Sequence, residues 1–208
     1  DDSASRGLGD VYKRQLIPGG FGNRGISGKI EAIRYARENQ IPFLGICLGM
    51  QLSIIEFTKN VLKMKNSGSS EFGKHTNNVI SLMTEWSKKN QKVTRTKEND
   101  LGATMRLGSY PCYIKHKSLA SKIYKKKLIH ERHRHRYEVN PKYRSSIEKK
   151  GLVFSGFSKD KKLLEIIENK YHKWFLGVQF HPELKSKPFK PHPIFFSFIK
   201  NSLMNKNA

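Results

Sequence analysis

A short stretch at residues 41–51 constrains the fold of this chain more than any other, and it reads IPFLGICLGMQ. Its mostly apolar beginning predicts a buried parallel strand over residues 41–46, and the apolar pattern of residues 48–62 predicts a helix. A Gly-x-Cys-x-Gly turn joins them and places Cys47 at the tip, which is the layout of a nucleophile elbow. Strand, turn and helix in this order predict an α/β fold with a mostly parallel central sheet flanked by helices.

The chemistry of this turn depends on Cys47. Gly45 and Gly49 lack a Cβ, so that strand and helix can approach each other closely. The positive end of a helix dipole favours a thiolate, which is the nucleophilic form of cysteine. A free cysteine is also often a small buried apolar residue, and the motif alone leaves both interpretations open.

Length and cysteine content narrow the class of protein. A chain of 208 residues suits one α/β domain with a substantial core. Its two cysteines, Cys47 and Cys112, allow at most one disulfide, and the chain does not begin with a secretion signal, so we expect a reducing cytoplasm. No apolar run approaches the roughly 20 residues that cross a bilayer, so we expect no membrane partner.

The formal net charge of +23 suggests a polyanionic partner such as nucleic acid. The lysines, however, are spread from Lys13 to Lys206 and accompany many asparagines and isoleucines. A general residue bias explains this charge as well as a binding surface does. We therefore do not favour a nucleic-acid partner, and we keep a basic nucleic-acid-binding module as an alternative.

The sequence divides into a short tail and one domain. Residues 1–15 are polar and lack a helical or strand period, so we interpret them as a tail or a foreign junction. The domain is predicted over residues 16–208, and residues 16–17 form the remainder of a strand. The other predicted elements are a helix over 29–39 capped by Ser27, a loop over 66–78, strands over 79–82, 111–114 and 174–180, a strand pair or turn over 101–108, a helical turn over 118–124, a hairpin of 152–157 with 163–167, and a helix over 194–204.

Residues 129–139 alternate basic and other side chains. As a strand, they place Arg132, Arg134 and Arg136 on one face and His133 with His135 on the other. A solvated edge strand or a nucleic-acid patch is one interpretation. The other assigns an arginine to a substrate carboxylate, which a guanidinium binds in a bidentate manner.

A thiolate that attacks an amide needs a base, and the base needs an orienting acceptor. His181 and Glu183 supply both at the end of a predicted strand, where Pro182 stiffens the link. Since parallel strands share one carboxyl edge, Cys47 and His181 are predicted to meet there. The other seven of the eight histidines lack this position at a strand end.

Three motifs together resemble the class I glutamine amidotransferases, whose triad is Cys-His-Glu. They are residues 18–22 (PGGFG), 45–51 (GICLGMQ) and 179–183 (QFHPE). Within that class, four further segments look like the amidotransferase domains of CTP synthases. These segments are Arg24-Gly25 with Gly28-Lys29, residues 103–108 (ATMRLG), 131–140 (ERHRHRYEVN) and 191–193 (PHP), and the resemblance extends from Leu16 to the C-terminus.

The resemblance implies a glutaminase. Cys47 would attack the side-chain amide of L-glutamine, His181 would act as acid and base, and Glu183 would orient it. Backbone N–H groups of Gly20 and Leu48 would form the oxyanion hole.

The substrate site is also taken from the resemblance. Gln51, Glu71 and Arg136 would hold the amino and carboxylate groups of glutamine, with Phe21 near the substrate. No metal and no cofactor is expected in this chain.

In the family, ammonia passes to a synthase domain that uses ATP and Mg²⁺ to convert UTP to CTP, with GTP as activator, and the parent enzyme is expected to be a homo-oligomer. This chain lacks a P-loop and the first strand and helix of the family's domain, so we expect a fragment of the parent enzyme. A truncated, inactive amidotransferase-like interaction domain is the remaining alternative.

Overall fold

The structure is a computed structural model that describes residues 14–82 and 105–204. Its strands are β1 (Gln15–Ile17), β2 (Phe43–Ile46), β3 (Ser67–Ser69), β4 (Asn77–Leu82), β5 (Arg106–Ile114), β6 (Leu128–His135), β7 (Tyr137–Val139), β8 (Leu152–Phe157), β9 (Leu164–Asn169) and β10 (Phe175–Val178). The α-helices are α1 (Ile26–Glu38), α2 (Leu48–Asn60), α3 (Leu119–Tyr124), α4 (Arg144–Lys149) and α5 (Pro193–Met204), and two 3₁₀ turns cover Pro141–Tyr143 and Pro182–Leu184.

A seven-stranded sheet with helices on both faces forms the body of the fold, so the predicted α/β class is confirmed. The strand order is β1-β2-β10-β9-β8-β5-β6, and β3-β4-β7 form a smaller sheet. The sheet is mixed. The expectation of mainly parallel pairing holds for β1, β2 and β10, whereas β9, β8, β5 and β6 pair antiparallel to their neighbours.

The two faces of β2 are packed by different layers, as its uninterrupted apolar sequence requires. Phe43 belongs to a core cluster with residues of α1 and α2, and its ring stacks on Phe175 at a centroid distance of 4.3 Å. Leu44 and Ile46 belong to a second cluster with residues of α3 and α5, such as Phe198. The strand that leads to Cys47 is thus buried on both sides.

The turn between β2 and α2 is the predicted elbow. Cys47 has φ 50° and ψ −103°, a conformation that side chains rarely adopt and that costs about 1–3 kcal/mol. Close packing maintains it, because a Cβ on Gly45 would lie 2.7 Å from the Gly49 carbonyl carbon. A Cβ on Gly49 would lie 2.1 Å from the carbonyl oxygen of Ile17 in β1. Both glycines of the motif are therefore required by backbone contacts.

The strands β5 and β6 form an antiparallel arm beyond the end of β8. They pair from Arg106 opposite His135 to Tyr113 opposite Leu128, whereas only Tyr113 and Ile114 of β5 pair with β8. The predicted alternation in β6 is confirmed, since exposed and buried side chains alternate from Leu128 to His135. Arg136 departs from it, because it follows the end of β6 and is half-buried.

Some predicted boundaries were wrong. The helix α1 begins at Ile26 after Gly25, whose φ is 70°, so Ser27 lies inside the helix and does not cap it. The predicted loop 66–78 contains β3 and the start of β4. The two elements predicted over 101–108 and 111–114 are one strand where they are described, while residues 101–104 lie outside the described residues.

Other predictions were confirmed. Leu152–Phe157 and Leu164–Asn169 form an antiparallel hairpin, and the helical turn predicted over 118–124 is α3, with Ser118 as its N-cap. The predicted boundary between residues 1–15 and 16–208 stays a prediction, although β1 already includes Gln15. None of the helices in the described ranges has both the length and the apolar character that spanning a membrane requires.

The elbow packing predicts opposite effects for two glycine substitutions. We expect Gly49→Ala to lower the free energy of unfolding by about 3 kcal/mol, since its Cβ would overlap the backbone of β1. Gly28→Ala, in α1 with nothing within 4 Å of its Cβ, should be neutral or stabilise by about 0.5–1 kcal/mol. Urea unfolding of both variants measures this, and equal stabilities would contradict the packing argument.

Candidate active site

Cys47 lies at the carboxyl edge of the parallel strands. It is 3% exposed, and its N–H donates to the carbonyl oxygen of Val178 on β10 at 2.7 Å. Burial raises the pKa of the thiol to about 12, while the backbone N–H of Leu48 acts in the opposite direction. The carboxylates of Glu138, Glu183 and Glu71 raise the pKa further. The expectation of a thiolate at the start of the helix is therefore not met in the resting site, because burial outweighs the backbone N–H of Leu48.

His181 and Glu183 contact each other directly. They follow the end of β10, as the sequence predicted, and the 3₁₀ turn Pro182–Leu184 comes directly after His181. Nδ1 of His181 lies 2.5 Å from Oε1 of Glu183, which assigns the ring proton to Nδ1. Nε2 of His181 is buried and has no hydrogen-bond partner among the described residues. The imidazole therefore has an unused acceptor atom.

Gly19 lies next to both Cys47 and His181. A Cβ built on Gly19 would lie 2.8 Å from Cε1 of His181 and 3.6 Å from Cβ of Cys47. The elbow and the imidazole from the C-terminal part of the chain are thus neighbours of the same residue. Backbone hydrogen bonding fixes this position, because the N–H of His181 donates to the carbonyl oxygen of Arg132 on β6 at 2.8 Å.

The glycine-rich turn after β1 borders this site. The N–H of Gly22 donates to Oε1 of Glu71 at 2.9 Å, and burial raises the pKa of this carboxyl group. A Cβ on Gly20 would contact the Leu48 side chain at 3.4 Å, so these two residues are neighbours. Phe21 is 62% exposed, with the Arg134 guanidinium 6.0 Å from its ring centroid.

Gln51 and Arg136 lie close to the same edge. Gln51 is buried in α2, and its Nε2 donates to the carbonyl oxygen of Tyr137 at 3.0 Å and to Oε1 of Gln179 at 3.2 Å. Nε of Arg136 is buried and has no hydrogen-bond partner within the described ranges. A buried donor without a partner is costly, which is typical of a group that awaits a ligand.

Gln179 is a site residue to which the sequence analysis gave no role. It is completely buried after the end of β10, and its Nε2 lies 3.7 Å from Sγ of Cys47. Its place in the motif before His181 was visible in the sequence. Its contact with the sulfur depends on the pairing of Val178 with Ile46, which only the structure provides.

A buried ionic cluster supports the arm behind the site. Arg106 on β5 lies 3.2 Å from Glu138 and 2.8 Å from Glu165, and all three side chains are nearly inaccessible. Burial and the charge of Arg106 lower the pKa of His133 to about 2 and that of His135 to about 3, so both rings are neutral. Burial raises the pKa of Glu138 to about 7.

A second cluster holds the turn that follows His181. The carboxylate of Glu131 on β6 is 1% exposed and accepts from Nε2 of His192 at 3.0 Å and from Tyr124 Oη at 3.2 Å. Nζ of Lys185 also lies 3.2 Å from it. The segment from 182 to 192 is thus fixed to the arm at both ends. In the described part of the chain, no group of three or more His, Cys, Asp or Glu side chains could hold a metal ion.

Comparison with known proteins agrees with this geometry. The family description "Glutamine amidotransferase class-I" matches residues 9–201. The CTP synthase of Pelagibacter ubique (strain HTCC1062) is 61% identical over 191 residues, which are 92% of this chain and 35% of that protein. The CTP synthase of Aquifex aeolicus (strain VF5) is 56% identical over 192 residues, which are 92% of this chain and 34% of that protein.

A solved structure shows the same fold. The glutaminase domain of Trypanosoma brucei CTPS with bound acivicin has a TM-score of 0.84 at 37% identity, covering 98% of this chain and 75% of that one. The chain belongs to the class-I glutamine amidotransferase family. Within that family its sequence is similar to the CTP synthases and its fold to the glutaminase domain of one of them, and it spans about a third of the length of the curated relatives.

The ionic cluster predicts a strong dependence of stability on Arg106. Arg106→Met leaves the buried carboxylates of Glu138 and Glu165 without their cation, so we expect a loss of about 3–5 kcal/mol in unfolding free energy. Arg34→Gln is the matched control, because it removes an exposed ion pair with Glu31 and should change stability by less than about 1 kcal/mol. Chemical denaturation of both variants measures the difference. Similar small losses would show that the cluster is dispensable.

Proposed function

We propose that this domain hydrolyses L-glutamine to glutamate and ammonia with Cys47, His181 and Glu183 as its triad. The observation that carries the proposal is the unused, buried Nε2 of His181, whose ring lies next to Gly19, as Cys47 does. Glu183 accepts a hydrogen bond from Nδ1–H of His181, so Nε2 is the ring nitrogen that carries no proton.

The resting thiol is neutral, so its proton must leave as the reaction begins. Nε2 of His181 takes the proton from Sγ while the sulfur attacks the side-chain amide carbon of glutamine. His181 then gives this proton to the departing nitrogen, which leaves as ammonia, and a glutamyl thioester remains. Water, deprotonated by the same Nε2, hydrolyses the thioester, and the thiol is restored.

The oxyanion of each tetrahedral intermediate needs donors that are already in place. We assign this role to the backbone N–H groups of Gly20 and Leu48. Leu48 begins α2 directly after the nucleophile, and Gly20 lies against its side chain. One such donor contributes about 3–4 kcal/mol to transition-state stabilisation in a comparable site.

The amino-acid end of glutamine would be held by Gln51, Glu71 and Arg136, with Phe21 at the edge of the site. The buried, unpartnered Nε of Arg136 supports a role in binding the carboxylate. Both hydrogens of the Gln51 amide are used inside the fold, so its Oε1 is the atom left to accept from the ammonium group. Glu71 adds a carboxylate for the same ammonium group.

The parent enzyme would pass ammonia to a synthase domain that converts UTP to CTP with ATP and Mg²⁺, with GTP as activator, in a homo-oligomer. We assign ATP and Mg²⁺ to that synthase domain. A cytoplasmic location is part of the proposal, and the two free cysteines support it.

Substitution of Cys47 tests the nucleophile. We expect Cys47→Ala to lose at least a thousandfold in glutamine-dependent ammonia release and all covalent labelling by acivicin, while circular dichroism stays native. Cys112→Ala is the control, because Cys112 is buried in β5, outside the proposed triad, and should keep both properties. Enzymatic determination of ammonia and intact-protein mass spectrometry provide the readouts.

Two outcomes would favour the alternatives. A folded wild-type chain that neither releases ammonia nor reacts with acivicin at Cys47 would indicate an inactive interaction domain. Retention on duplex DNA at physiological salt, with a steep salt dependence, would instead support the basic nucleic-acid-binding module.

Gly19 tests the meeting of sulfur and imidazole. We expect Gly19→Ala to lower kcat at least a hundredfold, because its Cβ would displace the ring of His181. Gly28→Ala, which adds the same methyl group in open space, should leave kcat unchanged. Steady-state glutaminase assays measure both, and normal turnover of a folded Gly19→Ala variant would be incompatible with the proposed arrangement.

A further inference from the structure

The carboxamide of Gln179 lies between the nucleophile and a residue of the substrate site. Its Nε2 is 3.7 Å from Sγ of Cys47, within hydrogen-bond reach of a sulfur atom. Its Oε1 accepts from Nε2 of Gln51 at 3.2 Å. The side chain is completely buried, so water does not compete for either contact.

The orientation of this amide follows from its neighbours. Nitrogen and oxygen of an amide group are distinguished by the hydrogen-bond network and not by shape. The carbonyl oxygen of Tyr137 can only accept, so the atom of Gln51 that faces it must be Nε2. That nitrogen has a second hydrogen, which requires an acceptor on Gln179. The NH₂ group of Gln179 therefore faces the sulfur.

The carbonyl that starts this chain is itself held in place. Nδ1 of His135 lies 3.1 Å from the oxygen of Tyr137, and Nε2 of His135 lies 2.8 Å from Nδ1 of His133. Because both rings are buried and neutral, each can donate one proton and accept one. A chain of hydrogen bonds thus extends from the arm through Gln51 to Gln179 and ends at Sγ of Cys47.

The surroundings of Cys47 disfavour a negative charge. The thiol is buried, and the carboxylates of Glu138, Glu183 and Glu71 all act against its ionisation. The backbone N–H of Leu48 opposes them, but it is also needed for the oxyanion of the substrate. An additional N–H donor that is dedicated to the sulfur would separate these two tasks.

We propose that Gln179 is a further catalytic residue, whose Nε2–H donates to Sγ of Cys47 as the thiolate forms and again as it leaves the thioester. The inference rests on the proposed glutaminase function and adds to it a residue that touches the reacting atom. No bond to Gln179 is made or broken, since the thiol proton moves to Nε2 of His181 and returns from there.

Alkylation of Cys47 by iodoacetamide tests this role without requiring glutamine turnover. The full chain is treated between pH 7 and 9, and peptide mass spectrometry separates Cys47 from Cys112. Gln179→Met has nearly the same length and volume but no donor, so the pKa of Cys47 should rise by about one unit. A higher pKa lowers the fraction of Cys47 that is ionised, but it also makes the remaining thiolate more nucleophilic. The two effects partly cancel, so we expect alkylation to be about threefold slower.

Gln179→Glu gives a second, isosteric test. Burial raises the pKa of such a carboxyl group, so the comparison is made at pH 9, where the ionised carboxylate lacks the donor and adds negative charge and alkylation should be slower than in Gln179→Met. Ser53→Ala is the matched control. It removes a buried hydrogen bond inside α2, the helix that follows Cys47, from Ser53 Oγ to the Gly49 carbonyl oxygen. Cys47 of this variant should be alkylated at the wild-type rate. In glutaminase assays, both Gln179 variants should lose at least tenfold in kcat with KM nearly unchanged.

The outcomes distinguish the two proposals. Wild-type alkylation rates in either folded Gln179 variant would overturn the role of Gln179, whether or not the chain hydrolyses glutamine. If the wild-type chain shows no glutaminase activity but the alkylation rates follow the predicted order, the proposed function is overturned and the role of Gln179 as a donor to the sulfur is still supported. If alkylation of Cys47 slows equally in Ser53→Ala, the slowing reflects a general loss of packing around the helix, and the role of Gln179 is also overturned.

Discussion

Parallel pairing of β2 with β10 is the interaction on which the rest of the site depends. It aligns Ile46 with Val178, so the segments that follow these two strands leave the sheet side by side, and Cys47 and His181 lie at the same edge. The close approach of β1, β2 and α2 at Gly45 and Gly49 then holds the elbow in its strained conformation. Local strain at the nucleophile is thus maintained by packing of the sheet and its first helix.

Burial has opposite consequences for the two halves of the catalytic pair. It keeps the thiol of Cys47 protonated, and it leaves Nε2 of His181 without a competing partner. In the proposed mechanism, proton transfer is therefore coupled to attack on the substrate and does not precede it. The donors proposed for the sulfur and the oxyanion would replace the solvation that burial removed, which is the usual way that an enclosed site stabilises developing charge.

The arm of β5 and β6 explains a sequence that first suggested a basic surface. Its inward face carries His133, His135 and Glu131, whose hydrogen bonds secure the Tyr137 carbonyl and the turn after His181. Its outward face carries Arg132 and Arg134. One face of this alternating strand therefore contributes buried hydrogen bonds that support the site, while the other face is exposed. The net charge of +23 is spread along the chain and is not concentrated on β6.

Local patterns in the sequence were sufficient for the elbow, the hairpin of β8 and β9, the alternation in β6 and the presence of a Cys, His and Glu set, since these depend on near neighbours. The motifs also placed the chain in its family. The mixed strand order, the single long β5 and the start of α1 could not be read in this way, because non-local pairing decides them.

The sequence by itself identified Cys47 as the candidate nucleophile and His181 as the imidazole that could serve it. Only the tertiary structure decided that the thiol is neutral at rest and that Gln179 faces the sulfur. Protonation and hydrogen-bond direction depend on burial and on atoms from distant strands. Those are properties of the packed chain, and no local segment contains them.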